Sequence, residues 1–362
     1  MKIQLKKLSQ QTIVITGASS GIGLVTARMA AAAGAKVVLG ARNEDALRQL
    51  ADEIRGRGGK AAYAVTDVGS EEAIRGLADV AIASFGGLDT WVNNAGVSIF
   101  GRIMDVSIED MRRMFDTVYW GVVYGSRAAV AYAREHDRPV ALINVGSIFG
   151  DRATVLQSTY AAAKHAVHGF TDALRMELEA EGAPVSVTLI HPGRIDTPYN
   201  EHAQSYIPEQ PAHRGMIYPP EAVAEAILFA ATHPRRDMFV GFQAKAGAVL
   251  GALAPRLTDR VMELVMFRSQ QADRPSRSRE TSALHHAGYG LHERGTHEGH
   301  VRRRSWYVKA SKHPVLAAAL AAGVVATAAT APRLARPSGR RLWPNRSIAS
   351  RIGRYIDRII PC

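Results

Sequence analysis

The stretch Thr16-Gly17-Ala18-Ser19-Ser20-Gly21-Ile22-Gly23 decides how this chain folds. It follows a short apolar run, Thr12–Thr16, and precedes a helix-forming stretch that starts at Gly21. Glycines let the backbone turn tightly and approach a pyrophosphate, and the start of a helix offers free N–H groups to an anion. For the glycines alone, an ordinary strand–helix turn is the alternative. The position after the first apolar run favours the phosphate loop of a βαβ unit.

Short β-branched runs alternate with amphipathic or Ala-rich stretches as far as residue 240. The first runs are continuously apolar, which is typical of a parallel sheet buried on both faces. The alternation predicts an α/β fold, a doubly wound parallel sheet of the Rossmann type. We expect strands at Thr12–Thr16, Lys36–Leu39, Ala61–Val65, Leu88–Val92, Val140–Val145, Val185–Ile190 and Met238–Val240, and helices near Gly21–Ala33, Glu44–Arg55, Glu71–Phe85, Ile108–Glu135, Ser158–Glu181 and Pro220–Thr232.

The charge of the chain is concentrated at its C-terminal end. The 362 residues are 47% hydrophobic, which excludes a disordered or fibrous chain, and their formal net charge is +12. Residues 260–362 hold 19 Lys and Arg against 6 Asp and Glu, whereas residues 1–259 are close to neutral. We therefore expect a Rossmann-type domain over 1–259. A basic extension, partly helical and partly disordered, is expected over 260–362, with an Ala-rich helix near 314–332.

Cysteine usage and the N-terminus bear on metal sites and on location. The only cysteine, Cys362, excludes a disulfide framework and a Cys-based zinc site. The apolar run Thr12–Thr16 is too short for a secretory signal, so the sequence predicts a cytoplasmic protein. A group of histidines in the extension is expected at the surface rather than on a metal, and no metal ligand is predicted: His285, His286, His292, His297 and His300.

Arg42 bears on the choice of dinucleotide. It lies about twenty residues after Gly21, at the end of the second expected strand, where an acidic residue would bind a ribose 2′-hydroxyl. An arginine at this point can pair with a 2′-phosphate instead. The sequence therefore predicts NADP rather than NAD. An exposed loop arginine is the alternative interpretation.

Tyr160 and Lys164 lie four residues apart at the start of an expected helix, so their side chains share one face. A neighbouring ammonium favours the phenolate form of a tyrosine, and such a pair can exchange a proton with an alcohol or a carbonyl. The same spacing is common on helices without function. Ser147, at the end of the expected strand Val140–Val145, supports the catalytic interpretation because its hydroxyl can hydrogen-bond a substrate oxygen.

Five motifs together resemble the short-chain dehydrogenase/reductase family over roughly residues 8–245: Thr16–Gly23, Asn93-Asn94-Ala95-Gly96, Ser147, Tyr160 with Lys164, and Pro192-Gly193. The resemblance implies hydride transfer between a nicotinamide cofactor and an alcohol or carbonyl, in a chain that forms homo-oligomers. It makes Tyr160 the general acid/base, with Lys164 lowering its pKa and Ser147 polarising the carbonyl. The cofactor-binding residues it implies, Arg42 included, are Gly17, Ser19, Ser20, Gly21, Ile22, Gly23, Arg42, Asp67, Asn93, Ala95, Gly96, Tyr160, Lys164, Pro192, Gly193 and Thr197.

One position departs from the family pattern. The family usually has an asparagine where this chain has Val118, and that asparagine supports a water in the proton relay. A relay rerouted through a hydroxyl such as that of Thr117 is one hypothesis. The other is that the serine, tyrosine and lysine suffice. The departure also keeps open a different class of function, a non-catalytic nicotinamide-binding sensor or interaction protein.

The expected pocket is apolar. A flap between Pro192 and Tyr218 and a set of apolar side chains should line it, which favours a lipophilic alcohol or ketone, although the same side chains could instead pack against the sheet. The set is Ile99, Phe100, Phe149, Val155 and Leu156.

The Ala-rich run 315–331 has three interpretations. A soluble helix packing on the domain or on a partner subunit is the first, and association with a membrane surface, attracted by the flanking arginines, is the second. Nucleic-acid binding is the least favoured, because the arginines are not interleaved with base-stacking aromatics.

Overall fold

The computed structural model describes residues 3–241, 249–297, 299–302, 305, 308–309 and 312. The expected Ala-rich helix near 314–332 lies outside these residues. Met1–Pro314 form one compact unit. The expected boundary between residues 259 and 260 falls inside this unit.

Strands and helices alternate in the order that the sequence predicts. The strands are β1 (Thr12–Thr16), β2 (Lys36–Ala41), β3 (Lys60–Val65), β4 (Thr90–Asn93), β5 (Ile99–Phe100), β6 (Val140–Val145), β7 (Val185–Pro192), β8 (Gln204–Ser205), β9 (Glu209–Pro211), β10 (Asp237–Val240) and β11 (Gln271–Pro275). The helices are α1 (Gly21–Ala32), α2 (Glu44–Gly56), α3 (Glu71–Phe85), α4 (Ile108–Phe115), α5 (Gly121–His136), α6 (Ser158–Ala180), α7 (Tyr199–His202), α8 (Pro220–Ala230) and α9 (Pro255–Ser269).

The central sheet has seven parallel strands in the order β10-β7-β6-β4-β1-β2-β3. This is the doubly wound architecture that the sequence predicts. The chain leaves β1 towards β2 and β3 on one side, and later returns to β4 on the other. A crevice therefore opens at the carboxyl ends of β1 and β4, where ligands bind in folds of this type.

Both faces of the sheet are covered, which explains the continuous apolar runs. Along β1, Ile13 and Ile15 belong to the hydrophobic cluster that includes α1, α2 and α8, while Val14 belongs to the cluster that includes α3 and α5. All three side chains are fully buried. A strand that alternates between two cores needs apolar residues at every position.

The C-terminal extension differs from its expected description over the described residues. The sequence predicts an irregular or disordered arm over 271–313, because few of its residues are apolar. In the structure β11 pairs with β9, and residues 282–296, which we call the C-terminal strap, lie along the carboxyl edge of the sheet. Hydrogen bonds and ion pairs hold the strap, and composition alone does not reveal such contacts. Among the described residues, no helix is long and apolar enough to cross a bilayer.

Core burial makes a simple prediction about stability. Leu39→Ala in β2 should lower the free energy of unfolding by about 2–5 kcal/mol, because this side chain is fully buried and its removal leaves a cavity. The control is Leu257→Ala on α9, where the side chain is 63% exposed and we expect a change within about 0.5 kcal/mol. Urea unfolding measures both values, and equal losses would contradict the assigned core.

Candidate active site

One cavity lies at the carboxyl edge of the sheet, with about 1480 Å³ of empty space, its open mouth included. Most of the residues predicted from the sequence meet there. They come from the loop after β1, the ends of β2, β3, β4, β6 and β7, and the first two turns of α6. The predicted residues that line it are Gly17, Ser19, Ser20, Gly21, Ile22, Arg42, Asp67, Ala95, Gly96, Ser147, Tyr160, Lys164, Pro192, Gly193 and Thr197.

The loop after β1 needs its glycines for two reasons. Gly17 and Gly21 have φ angles of +68° and +52°, in the left-handed region where residues with side chains are strained. Gly23 does not line the cavity. A Cβ atom there would lie 2.2 Å from the carbonyl oxygen of Gly17, so Gly23 lets α1 pack tightly against the loop. The packing brings the N-terminus of α1, with its unpaired amides, to the cavity.

Asn93 is the other predicted residue that does not line the cavity. Its side chain is buried between strands, where Nδ2 donates to Asn144 Oδ1 (2.9 Å) and Oδ1 accepts from Trp91 Nε1 (2.8 Å). The next residue, Asn94, lines the cavity instead. Its Nδ2 donates to the carbonyl oxygen of Thr16 (2.9 Å), which ties the end of β4 to the end of β1. Successive side chains of a strand point to opposite faces, so the register decides which asparagine faces the cavity.

Ser147, Tyr160 and Lys164 converge at one end of the cavity. Ser147 follows β6, while Tyr160 and Lys164 lie in the first turns of α6, with Lys164 Nζ 5.8 Å from the centroid of the Tyr160 ring. All three side chains are buried. The hydroxyls of Ser147 and Tyr199 are close enough to the Tyr160 hydroxyl to act on its pKa as hydrogen-bond donors.

The pKa of Tyr160 does not follow the expectation from the family. Burial raises the pKa of Tyr160 above its ordinary value, although the hydrogen bonds with Ser147 and Tyr199 act in the opposite direction. Burial also lowers the pKa of Lys164 to about 8. Its Nζ donates to the carbonyl oxygen of Val145 (2.7 Å). In this arrangement the lysine is directed to β6 rather than to the phenol oxygen, and desolvation dominates at the tyrosine.

The opposite end of the cavity is lined by Arg42 and Asp67, and Arg113 pairs with Asp67. Arg42 Nη1 donates to the carbonyl oxygen of Leu284 (3.1 Å), and burial lowers the pKa of this guanidinium. Arg113 Nη2 pairs with Asp67 Oδ2 (2.5 Å), and this pair lowers the pKa of Asp67 although burial alone would raise it. No sequence pattern singles out Arg113, because it lies on α4, far along the chain from β2. The charge of Arg42 thus faces neutral carbonyl oxygens, whereas Asp67 is already paired.

Val118 lies in a π-helical turn, Asp116–Trp120, that separates α4 from α5. A single helix over Ile108–Glu135 was expected here. The Val118 side chain is fully buried in the hydrophobic cluster that also contains Tyr160. The neighbouring residue Thr117 lines the cavity, and its hydroxyl donates to the carbonyl oxygen of Arg113 (3.3 Å). At this turn the structure therefore places the Thr117 hydroxyl at the cavity and the Val118 side chain in the hydrophobic core.

The flap after β7 contributes aromatic residues that the sequence analysis missed. Tyr199 lies with its ring centroid 5.6 Å from that of Tyr160, and Gln157 Nε2 donates to its hydroxyl (2.8 Å). His213 stacks on Tyr199 at 5.8 Å, and burial lowers the pKa of His213 to about 3, so the ring is neutral. His202 lines the cavity as well, and its pKa falls to about 4, mainly through burial. No local pattern marks these residues, because the turns of the flap place them.

The apolar set expected to line the pocket divides in two. Phe149 lines the cavity, together with Val97, Ile148 and Ile195. In contrast, Ile99, Phe100 and Leu156 are buried in hydrophobic clusters below it. Four of the expected surface histidines are exposed, namely His285, His286, His292 and His300.

A buried group of ionisable side chains lies behind Ser147. The carboxylate of Asp151 contacts Nδ1 of His191 (2.9 Å) and Nδ1 of His168 (3.4 Å), and Nε2 of His191 lies 3.3 Å from Asp237 Oδ1. The backbone N–H of Ser147 donates to Nε2 of His168 (3.4 Å). Within the described residues, Asp151, His168 and His191 have ligating atoms close enough to share a metal ion. In this structure the carboxylate of Asp151 contacts both imidazole rings directly, as in a hydrogen-bonded ion pair.

Comparison with known proteins identifies the family. The model of the short chain dehydrogenase family matches residues 11–207. The chain belongs to this family. It is 66% identical to the oxidoreductase YxnA of Bacillus subtilis over 91% of this chain and 92% of that one. This match of 329 residues reaches into the C-terminal extension.

Solved structures of family members agree with the fold. A short-chain dehydrogenase/reductase from Burkholderia phymatum, in complex with NAD, has a TM-score of 0.60 and 25% identity, covering 74% of this chain and 99% of that one. An alcohol dehydrogenase from Thermococcus sibiricus, complexed with 5-hydroxy-NADP, has a TM-score of 0.56 and 25% identity, covering 64% and 95%.

This short-chain dehydrogenase is thus an oxidoreductase with the family's fold for a nicotinamide cofactor. The donor set of the cavity fits such a group. The N-terminus of α1 suits a pyrophosphate, and the cations at the end of β2 suit further phosphate oxygens.

The group behind Ser147 makes stability depend on pH. Burial alone would lower the pKa of His191, but its contacts with Asp151 and Asp237 raise it, while contacts with His168 and His191 lower the pKa of Asp151. The raised histidine stabilises the fold below its unfolded pKa of 6.5, and the lowered carboxyl does so above its unfolded pKa of 3.8. The charged pair therefore contributes most between these values.

We expect Asp151→Asn to lower the free energy of unfolding by about 3 kcal/mol near pH 5.5, because a buried histidinium loses one of its two carboxylate partners. The loss should become smaller as the pH rises through the raised pKa of His191, because the ring then loses its charge. Asp45→Asn, at an exposed pair with Arg48, is the control and should change little across this pH range. A loss that stays equal as the pH rises would show that Asp151 acts only as a hydrogen-bond acceptor.

Proposed function

We propose that this protein is an NADP-dependent oxidoreductase acting on a lipophilic alcohol or ketone, with Tyr160 as the general acid/base. The observation that carries the proposal is the meeting of Ser147, Tyr160 and Lys164 in the same cavity as the loop after β1. The nicotinamide supplies or accepts the hydride when bound. The remaining chemistry belongs to the chain.

Tyr160 is the group suited to exchange the proton with the substrate oxygen. Its hydroxyl lies in the cavity and is hydrogen-bonded to Ser147, which can hold the same oxygen. Burial raises the pKa of Tyr160, so the hydroxyl keeps its proton at neutral pH and is prepared to act as an acid towards a carbonyl. The buried ammonium of Lys164 stabilises negative charge on the phenol oxygen once the proton has left.

Replacing Tyr160 with phenylalanine distinguishes a catalytic tyrosine from one that only shapes the pocket. Tyr160→Phe should lower kcat for NADPH-dependent ketone reduction by roughly 10²–10⁴-fold, because the proton donor is lost while the ring remains. NADPH affinity, measured by fluorescence titration, should stay within about twofold. Tyr63→Phe, at a tyrosine of β3 outside the cavity, is the control.

The same experiment tests the rival function. A wild-type protein that binds NADPH but oxidises none over a panel of aliphatic, cyclic and aromatic ketones would contradict catalysis and favour a nicotinamide-binding sensor. The buried valine at position 118 is the observation that keeps this function in consideration.

The preference for NADP rests on Arg42. This guanidinium lines the cavity and faces carbonyl oxygens, and Asp67 is already paired with Arg113, so a positive charge is left for an anionic group. A 2′-phosphate brings two further negative charges, which an arginine binds through charge-assisted hydrogen bonds.

Removing this charge should change the preference between the two cofactors. In Arg42→Ala, kcat/KM for NADPH relative to NADH should fall at least about tenfold, which corresponds to about 1.4 kcal/mol. Arg48→Ala removes the same charge from an exposed site on α2 and should leave the ratio unchanged. Because Arg42 also contacts the strap, the substitution could loosen the strap as a whole, but this would weaken the binding of both cofactors alike. An unchanged ratio would therefore contradict the assignment to the 2′-phosphate.

The lipophilic substrate is supported by the residues around Tyr160. Val97, Ile148, Phe149 and Tyr199 line this part of the cavity, and the stacked His213 is neutral because burial depresses its pKa. A charged substrate group would have to leave water for these apolar walls, whereas a hydrocarbon gains by the same transfer.

A further inference from the structure

The C-terminal strap forms one side of the cavity beside the loop after β1. The backbone N–H of Leu291 donates to the carbonyl oxygen of Ser19 (2.8 Å), and the N–H of Gly21 donates to the carbonyl oxygen of His292 (2.9 Å). Only the first amide of α1 is used in this way. Ile22 and Gly23 follow it in the first turn, where a helix provides no acceptor of its own. The strap therefore leaves further amides of α1 for a phosphate.

The strap also covers the end of β2. Arg42 donates to the carbonyl oxygens of Ala283 and Leu284, and Asn43 Nδ2 donates to the carbonyl oxygen of Gly288 (2.9 Å). Arg113 Nε donates to the Leu284 oxygen as well (3.2 Å). The two arginines at the adenosine end of the cavity are thus oriented by backbone carbonyls of the strap.

The strap lines one side of the cavity and leaves its interior empty. Ala283, Ala287 and Gly288 line the same empty space as Arg42 and Asp67. Leu284 is fully buried in the hydrophobic cluster that contains Tyr160. One end of the strap is therefore fixed in the core, and its middle lies across the cavity.

The outer contacts of the strap are suited to reversible opening. Glu293 pairs with Arg28 (2.7 Å) and Arg294 pairs with Glu221 (2.7 Å), both at partly exposed positions where ion pairs contribute little. The last two residues of the strap are held more firmly, because the N–H of Gly295 donates to Asp196 Oδ1 (3.2 Å) and the N–H of Thr296 donates to Glu201 Oε1 (2.7 Å). Leu291 has a φ angle of +62°, a strained value for a residue with a side chain. Weak anchors and local strain place such a segment among the parts of a fold that open most easily.

We propose that the strap is part of the cofactor-binding site: residues 283–288 enclose the adenosine and phosphate end of a bound nicotinamide dinucleotide, and the strap opens to let it enter and leave. This proposal rests on the proposed dinucleotide-dependent function. Its consequence is slow dissociation, since the cofactor is held between the sheet edge and the strap.

Gly290 allows a test that changes one methyl group in the full-length protein. A Cβ atom at Gly290 would lie 2.2 Å from the Cβ of Ala46 on α2, so Gly290→Ala must push the strap outward. Gly76→Ala is the matched control, because nothing lies within 4 Å of its added Cβ. Stopped-flow fluorescence of NADPH measures the dissociation rate. We expect it to rise at least about tenfold in Gly290→Ala and to stay unchanged in Gly76→Ala.

The outcomes separate the two proposals. A folded Gly290→Ala protein that releases NADPH at the wild-type rate overturns the role of the strap and leaves the proposed function intact. A wild-type protein that binds neither NADPH nor NADH overturns the proposed function, and the strap proposal with it. If Gly290→Ala does not fold, amide hydrogen exchange of the wild-type protein tests the role of the strap instead. The amides of Leu291 and Gly295 should then exchange at least about tenfold more slowly with NADPH present, and an unchanged rate overturns the proposal.

Discussion

The close approach of Gly23 to the carbonyl oxygen of Gly17 is the contact on which the rest of the site depends. It lets α1 start directly over the carboxyl end of β1, at the point where the order of the strands reverses. The partial positive charge of the helix N-terminus is thereby directed into the crevice. A side chain at Gly23 would push α1 away from the loop after β1, and one at Gly17 would collide with Ala95 after β4.

A buried polar network fixes the reacting end in a similar way. Asn93 on β4 donates to Asn144 on β6, and Asn144 Nδ2 donates to Thr171 on α6 (3.0 Å). The strand that ends before Ser147 and the helix that carries Tyr160 are therefore joined by buried hydrogen bonds. Buried amides are costly unless they are satisfied, so these contacts specify one register of strand and helix. Asn93 thus acts on the structure of the site rather than on its lining.

The sequence was most informative where the signal is local. Apolar runs and phosphate-loop glycines predicted the seven-stranded sheet and the position of its crevice, because burial on both faces and positive φ angles restrict residue types directly. It was less informative where distant segments meet. Tyr199 and His213 reach the cavity from the flap, and Arg113 on α4 pairs with the cavity residue Asp67, and no spacing along the chain reveals this. The π-helical turn Asp116–Trp120, which breaks the expected long helix, was likewise not predicted from the sequence.

The sequence by itself determined the family, the doubly wound sheet and the set of Ser147, Tyr160 and Lys164, because each depends on residue types at fixed short spacings. Only the tertiary structure decided which asparagine faces the cavity, in which direction the pKa of Tyr160 is shifted, and which groups the polar strap contacts. Composition predicted an irregular or disordered arm for this segment because few of its residues are apolar. Its position depends instead on hydrogen bonds to backbone groups of the sheet edge, and any residue type supplies such groups, so they leave no pattern in the sequence.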